Sequence, residues 1–395
     1  MATQVQFRGG TTTEHASFNG AAREVTVDTT KQTLVVQDGS TNGGFPLMRE
    51  DGQNASDSVR NTRVGDNAGN SFTGTDATDN TLIGYDAGTA ITTGDANVAV
   101  GSYALDSVTT ASSITGVGYG ALSALTTGSN NTAVGRNAMA LTTTGSQNTA
   151  VGIYALDANT TGGQNTAVGD GTLGANTTAN NNTAVGLEAL KVNTTGDNNV
   201  AIGANALDAN TTASNNTAVG YGAGSANTTG SQINAFGQNA LDANTTGGSL
   251  VAIGNNALGA NTTGDYNVAV GVNSLTANTT GASNTAVGIG SLSGNTTGHS
   301  NTAVGWDALD QNSTGIANTA VGMLALERNT TASYNTAVGL EALEENTTGE
   351  KNTAVGAYCM DANTTGTLNT AIGYHVLAVN TTGGQNSAVG TYALD

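Results

Sequence analysis

Proline, cysteine and basic side chains are scarce in this sequence. Its 395 residues include one proline and one cysteine, and 10 Lys and Arg residues stand against 29 Asp and Glu. A single cysteine excludes a framework of internal disulfides. The formal net charge of -19 leaves no basic surface for nucleic acid or for an anionic membrane. We therefore expect no nucleic-acid partner.

Long apolar runs are missing as well. None approaches the ~18 residues that a membrane-spanning helix requires, so we expect no membrane insertion. The first residues, Met1 to Gln4, contain neither the basic region nor the apolar stretch of a signal peptide, and no such signal is expected. Hydrophobic residues nevertheless make up 37% of the chain and charged residues only 10%, which argues against a disordered protein.

Glycine is abundant, with 56 residues, and it recurs at a fixed interval. An Ala-Val-Gly tripeptide or a close variant ends at Gly84, Gly101 and every seventeenth residue up to Gly390. One earlier copy ends at Gly65, nineteen residues before Gly84. Self-similarity at a fixed period is typical of a solenoid, in which identical units stack on one another. The period predicts about twenty coils over residues 61–395.

The repeat reads Asn-Thr-Ala-Val-Gly-x-x-Ala-Leu-x-x-Asn-Thr-Thr-Gly-x-x, and we number its repeat positions 1 to 17 from the first Asn. A clean copy begins at Asn148. Gly at position 5, and usually at position 15, disfavours a helix. The pattern instead predicts two short strands, around positions 2–4 and 7–9, joined by turns. The predicted fold class is therefore all-β, with a parallel β-roll or β-solenoid.

The apolar positions predict which side chains face the core. Position 4 is Val or Ile in most copies and position 9 is usually Leu, whereas positions 3 and 8 are mostly Ala. Because burial of a large aliphatic side chain contributes roughly 1.5–3 kcal/mol, positions 4 and 9 are predicted to form the inner column. The alanines would then face another chain, which predicts a parallel homotrimer. Asn at positions 1 and 12 is predicted to form ladders along the rod.

The first 48 residues lack the repeat and contain the single proline, Pro46. They predict short strands at 4–7, 24–27 and 33–36. This segment is too small for a secure core of its own, so oligomerisation is expected. Residues 49–60 are predicted to be a polar linker. The predicted organisation is thus an N-terminal β module (1–48), a linker (49–60) and a shaft of repeats (61–395).

Three runs in the N-terminal segment carry a family resemblance. Residues 5–12, 20–28 and 38–47 resemble the N-terminal domain of the major tropism determinant family of phage receptor-binding proteins. The resemblance implies an intertwined, trimeric β-prism that lies next to the virion and serves attachment and trimerisation. The C-type lectin receptor domain of that family has no counterpart here, so its receptor chemistry is not carried over.

The repeats resemble two further kinds of protein, less specifically. One is the β-roll head of trimeric autotransporter adhesins. The other is a repeat tract of phage tail fibres that precedes a self-cleaving chaperone domain. Both resemblances imply trimers. Because the last coil keeps the consensus sequence up to Asp395, we expect a further domain or another virion protein beyond it.

Residues that could catalyse a reaction or bind a metal are isolated. His15, His299 and His375 form no pair at metal-ligand spacing. Cys359 stands at position 8, where alanine is usual, and is expected to be buried. Aspartates recur at position 10, as at Asp157, but other coils interrupt the column, which favours a solvated charged face over a Ca²⁺ site. We therefore expect no enzyme activity, no cofactor and no metal.

These features predict a structural, adhesive virion protein: a trimeric phage tail fibre or related appendage. Its N-terminus would bind other tail or baseplate proteins, and its shaft would extend toward a host glycan or protein. Exposed aromatic side chains at positions 6 and 7 are the candidate receptor contacts. They are Tyr154, Tyr221, Trp306, Tyr358, Tyr374 and Tyr392.

Two alternatives remain. A bacterial trimeric cell-surface adhesin head is expected to carry a secretion signal and a membrane anchor. A polysaccharide-degrading tailspike is expected to cluster carboxylates in a groove, whereas the acidic residues of this chain are spread through its turns.

Overall fold

The computed structural model describes residues 8–10, 25–28, 33–36, 45–46, 60–72 and 76–394. Every regular element in these ranges is a β-strand, which confirms the predicted all-β class. The predicted linker, residues 49–60, lies outside the described residues except for Arg60. The boundaries of the N-terminal module and the linker therefore stay predictions.

Four short strands near the N-terminus form one mixed sheet. They are β1 (Arg8–Gly10), β2 (Val25–Asp28), β3 (Thr33–Val36) and β4 (Phe45–Pro46), and they pair in chain order. β1 runs parallel to β2, whereas the other two pairs are antiparallel. The strand predicted at 33–36 is confirmed, and the one predicted at 24–27 begins one residue later. The strand predicted at 4–7 lies outside the described residues.

The repeats form twenty further strands, one per coil, at positions 2 to 4; two of them, β15 and β16, begin one residue earlier. They are β5 (Thr62–Val64), β6 (Thr81–Ile83), β7 (Val98–Val100), β8 (Thr115–Val117), β9 (Thr132–Val134), β10 (Thr149–Val151), β11 (Thr166–Val168), β12 (Thr183–Val185), β13 (Val200–Ile202), β14 (Thr217–Val219), β15 (Ile233–Phe236), β16 (Leu250–Ile253), β17 (Val268–Val270), β18 (Thr285–Val287), β19 (Thr302–Val304), β20 (Thr319–Val321), β21 (Thr336–Val338), β22 (Thr353–Val355), β23 (Thr370–Ile372) and β24 (Ser387–Val389).

Consecutive strands of the solenoid pair in parallel and in register. Ala150 of β10, for example, lies opposite Ala133 on one side and Ala167 on the other, each seventeen residues away. The first step, from β5 to β6, spans nineteen residues instead. At ~4.8 Å per strand, the stack from β5 to β24 is about 90 Å long. The predicted parallel solenoid of about twenty coils is confirmed.

The prediction of a second strand in each coil, at positions 7–9, is wrong. Positions 6 to 11 form turns, and positions 7 and 9 adopt positive φ even where the residue is large, as in Tyr154 (φ 55°) and Leu156 (φ 53°). These turns still join the coils: the Tyr154 N–H donates to the Arg136 carbonyl at 3.1 Å, and the Leu156 N–H donates to the Thr172 carbonyl at 3.0 Å. Hydrogen bonds and burial of the leucine offset a left-handed backbone that costs roughly 1–2 kcal/mol per residue.

The prediction that positions 4 and 9 form the inner column is right for position 9 and wrong for position 4. Leu156, at position 9, is fully buried, but Val151, at position 4, leaves 37% of its surface exposed. The buried residue of that strand is Ala150. The Ala columns at positions 3 and 8 therefore lie inside each coil and cannot form the predicted contact with another chain.

The thinness of the coil explains this reversal. In a coil that carries Gly116 at position 3, an added Cβ would lie only 3.1 Å from Leu105 Cδ2. The leucine of position 9 thus fills the space opposite the strand, and what is left admits a methyl group. Because successive residues of a strand point to opposite faces, position 4 must then face outward.

The two predicted asparagine ladders are confirmed. At position 1, the Asn148 backbone N–H donates to Asn131 Oδ1 and its Nδ2 donates to the Gly162 carbonyl, both at 2.9 Å. At position 12, Asn176 Nδ2 donates to Asn159 Oδ1, also at 2.9 Å. These side chains are buried, and buried amides are costly unless they are hydrogen-bonded. The ladders therefore favour one register between coils.

Candidate functional site

Positions 6 and 7 bring variable side chains to the surface next to the outward face of each strand. Gly152, at position 5, turns the chain with a φ of +145°, a backbone conformation that favours glycine over other residues. The residues that follow leave the core, as predicted. Tyr221 and Trp306, both at position 6, are 57% and 51% exposed.

Four aromatic rings of three successive coils form a cluster on this surface. The aromatic cluster consists of Tyr358, Tyr374, His375 and Tyr392. The Tyr374 ring stands edge-on to Tyr358 and Tyr392, with centroid distances of 5.9 and 5.5 Å. The His375 ring lies between Tyr358 and Tyr392, 5.5 Å from each and tilted by 34° and 32°. Edge-to-face pairs of this kind are favourable by about 0.5–1.5 kcal/mol beyond burial.

Stacking of the coils produces this cluster. Tyr358, His375 and Tyr392 all occupy position 7, so one strand spacing of ~4.8 Å separates them along the rod. Tyr374 occupies position 6 of the middle coil and closes one side. The result is a compact surface that presents ring faces, ring edges and phenolic hydroxyl groups together.

The structure thus brings three of the six predicted receptor contacts together, Tyr358, Tyr374 and Tyr392, and leaves the other three apart. Tyr154 interacts with Arg136, whose guanidinium lies 5.0 Å from the ring centroid and donates a hydrogen bond to the hydroxyl group. Tyr221 and Trp306 lie in other coils.

His375 was missed as a member of the site. A lone histidine in a turn indicates no ligand, and the only signal in the sequence is its place at position 7, seventeen residues after Tyr358.

A second group of aromatic side chains was also missed. The tyrosine row consists of Tyr85, Tyr103 and Tyr119, with centroid distances of 5.5 and 5.7 Å and nearly perpendicular rings. The carboxylate of Asp86 raises the pKa of the Tyr85 hydroxyl group above its ordinary value. Positions 6 and 7 of three successive coils again carry the signal in the sequence.

The aspartates of position 10 are less solvated than predicted. Partial burial raises the pKa of Asp157, Asp208 and Asp242 above the ordinary value. In residues 60–72 and 76–394 and the four N-terminal strands, no group of three or more His, Cys, Asp or Glu residues could hold a metal ion.

The prediction that Cys359 is buried is confirmed. The thiol is fully enclosed and donates a hydrogen bond to the Ala371 carbonyl at 3.3 Å. Burial raises its pKa to about 11. A nucleophilic cysteine needs the opposite shift, because the thiolate is its reactive form.

The described part of the chain contains no helix that is long and apolar enough to span a bilayer.

These features define a class of protein: a parallel β-solenoid with aromatic clusters on its surface, preceded by a small β-sheet. Comparison with known proteins extends this description at the N-terminus. Residues 5–41 match the major tropism determinant N-terminal domain, so the predicted resemblance is confirmed. A tail fiber receptor-binding protein of Bordetella phage BPP-1 is 71% identical over 51 residues. That stretch spans 13% of this chain and 13% of the relative, so most of each chain lies outside the similarity.

Proposed function

We propose that this protein is a trimeric phage tail fibre that attaches to the virion through its N-terminal segment and contacts the host through its solenoid. The observation that carries the proposal is the 71% identity to a tail fiber receptor-binding protein of a phage. The match of residues 5–41 to the major tropism determinant N-terminal domain supports the attachment role. The partners of that segment are other proteins of the phage tail or baseplate.

The solenoid suits the role of a spacer. Backbone hydrogen bonds join each coil to the next, so the stack is bonded along its whole length. Asparagine ladders add side-chain bonds at position 1 in all but three coils and at position 12 from Asn159 to Asn380. A rod of about 90 Å carries surface side chains well away from the point of attachment. Variation at positions 6 and 7 changes the surface and leaves the buried positions of the coil unchanged.

The aromatic cluster is the receptor contact in this proposal. Aromatic rings bury a large area with little loss of side-chain entropy, and phenolic hydroxyl groups add hydrogen bonds at the edge. Such a surface suits the apolar faces of sugar rings in a host glycan, or an apolar patch of a host protein. Three copies in one trimer would multiply a weak contact through avidity. Tyr221 and Trp306 provide further exposed rings along the rod.

Competition for adsorption tests this proposal. Purified chain added to host cells is expected to block adsorption of the phage that carries it. The double substitution Tyr374→Ala and Tyr392→Ala is expected to weaken that competition at least tenfold. Tyr266→Ala with Tyr334→Ala is the matched control, since both tyrosines are exposed but stand at position 17. Equal competition by both variants would contradict the role of the cluster, and no competition by the unchanged chain would contradict the receptor role itself.

A further inference from the structure

The outward face of the solenoid strands carries an unbroken row of apolar side chains along its entire length. We call positions 2 and 4 of β5 to β24 the valine face. Position 4 carries Val, Ile or Phe in every one of the twenty strands. These side chains stay partly exposed, as at Val134 (36%) and Ile202 (41%). Position 2 is mostly Thr, with Val in several coils.

The valine face is also free of charge. None of its positions carries Asp, Glu, Lys or Arg, although the chain has a formal net charge of -19. Most acidic residues of the coils stand instead at positions 6, 7, 10 and 16, as in Asp170, Glu188, Asp157 and Asp197. Two copies of the chain that approach through those surfaces repel each other, whereas the valine face avoids this cost.

The size of the valine face is sufficient for a stable interface. Three strand residues span about 10 Å and the stack is about 90 Å long, which gives roughly 900 Å². A stable interface buries about 800 Å² on each partner. Apolar patches of more than a few hundred Å² on soluble proteins mark interaction sites.

We propose that the valine face is the surface through which copies of this chain pack side by side, parallel and with equal coils at the same level. A second copy offers an uncharged surface with the same row of apolar side chains, the same length and the same spacing between rungs. The parallel direction rests on the proposed function, since the N-terminal segments of all copies must reach the same particle. The valine face thus takes the role that was predicted for the buried alanine columns.

Cross-linking of single cysteines tests both the face and the direction. The native thiol is first removed by Cys359→Ala, which installs the usual residue of position 8. Val134→Cys and Val321→Cys are then made separately, in the fifth coil from each end of the solenoid. The controls are Thr144→Cys and Thr331→Cys, in the same two coils but at position 14, which is also exposed. A thiol-specific cross-linker with a spacer of about 10 Å matches the separation of packed sheets.

Each valine-derived variant alone is expected to cross-link to its own copies at least ten times more than its threonine-derived control in dilute solution. Equal yields at positions 4 and 14 would overturn the valine face. Cross-links that form only when the two valine-derived variants are mixed would overturn the parallel arrangement. These measurements use neither phage nor host, so their result is independent of whether the protein proves to be a tail fibre.

Two further substitutions test whether the valine side chains themselves hold the copies together. Val304→Asp together with Val338→Asp, in coils on either side of Val321, is expected to reduce its cross-linking at least tenfold while far-UV circular dichroism stays unchanged. If the aspartates unfold the chain, Val304→Thr with Val338→Thr keeps β-branched side chains and is expected to reduce the yield in the same direction. Unchanged cross-linking in a folded variant of either kind would contradict the proposal.

Discussion

Ala150 and Val151 are neighbours on strand β10, and the smaller of the two side chains is the buried one. Leu156 of the same coil is fully buried as well, so the core of this coil, like that of most others, combines small residues on the strand with one large residue on the turn. The strand consequently displays its β-branched residue on the surface. Both the packing inside one chain and the proposed contact between chains follow from this arrangement.

The narrow core should not accept a larger residue at position 3. Ala150→Leu is expected to lower the free energy of unfolding by about 1–3 kcal/mol, because extra methylene groups must push against the leucine of position 9. Ile153→Leu, at exposed position 6 and outside the valine face, is expected to leave the unfolding midpoint almost unchanged. Thermal unfolding followed by circular dichroism compares the two. Equal loss of stability would contradict the assignment of inner and outer faces.

Glycine at position 5 should be irreplaceable. Gly152 has a φ of +145°, and a Cβ there would lie 2.2 Å from the Gly169 carbonyl oxygen of the next coil. Gly259→Ala at position 10 is the control, because its φ is not positive and an added Cβ there would stay at least 3.3 Å from the nearest atom. Gly152→Ala is expected to cost about 1–3 kcal/mol more than the control in chemical unfolding. A loss in Gly152→Ala no larger than that in Gly259→Ala would show that the turn has been misassigned.

The asparagine ladder should be intolerant of a carboxylate. Asn176 Nδ2 donates to Asn159 Oδ1 and to the Ala179 carbonyl, and an aspartate there would face two acceptors with a buried negative charge. Asn176→Asp is therefore expected to destabilise the fold by at least ~3 kcal/mol at neutral pH. Asn180→Asp is the control, since Asp197 already fills the same position 16 in the next coil. The two variants are compared by urea unfolding, and similar midpoints would refute the ladder.

Stability at alkaline pH should depend on the buried thiol. Burial raises the pKa of Cys359 from 9.0 to about 11, so the folded chain holds this proton more tightly than the unfolded chain. The contribution of the thiol to stability is full below pH 9 and is lost as the pH rises through about 11. Cys359→Ala should therefore lose less stability than the unchanged chain between those values. Parallel loss in both proteins would indicate that other groups account for the whole effect.

Much of this architecture could be predicted from the regular spacing of Gly84 to Gly390, because a fixed period constrains how coils stack. The burial of Leu156 followed from its size. That the Ala150 side chain faces the core could not be predicted, because side-chain size alone does not reveal how thin the coil is. The positive φ of Tyr154 could not be predicted either, because tyrosine seldom adopts a left-handed backbone conformation.

Only part of the candidate site could be predicted, because the repeat shows which residues face outward but not which rings touch. Tyr358, Tyr374 and Tyr392 could be selected because they occupy outward repeat positions. Their contact with one another, and the place of His375 between two of them, depend on the spacing of the coils in three dimensions.

Labelling of intact phage particles distinguishes a tail fibre from a cell-surface adhesin. An antibody raised against the solenoid and coupled to colloidal gold would be applied to purified virions and, separately, to uninfected host cells. We expect gold at the tail of the particle, at about the same number of sites on each virion, and none on uninfected cells. Gold on the envelope of uninfected bacteria and none on the virion would contradict the tail-fibre assignment and would favour a cell-surface adhesin instead.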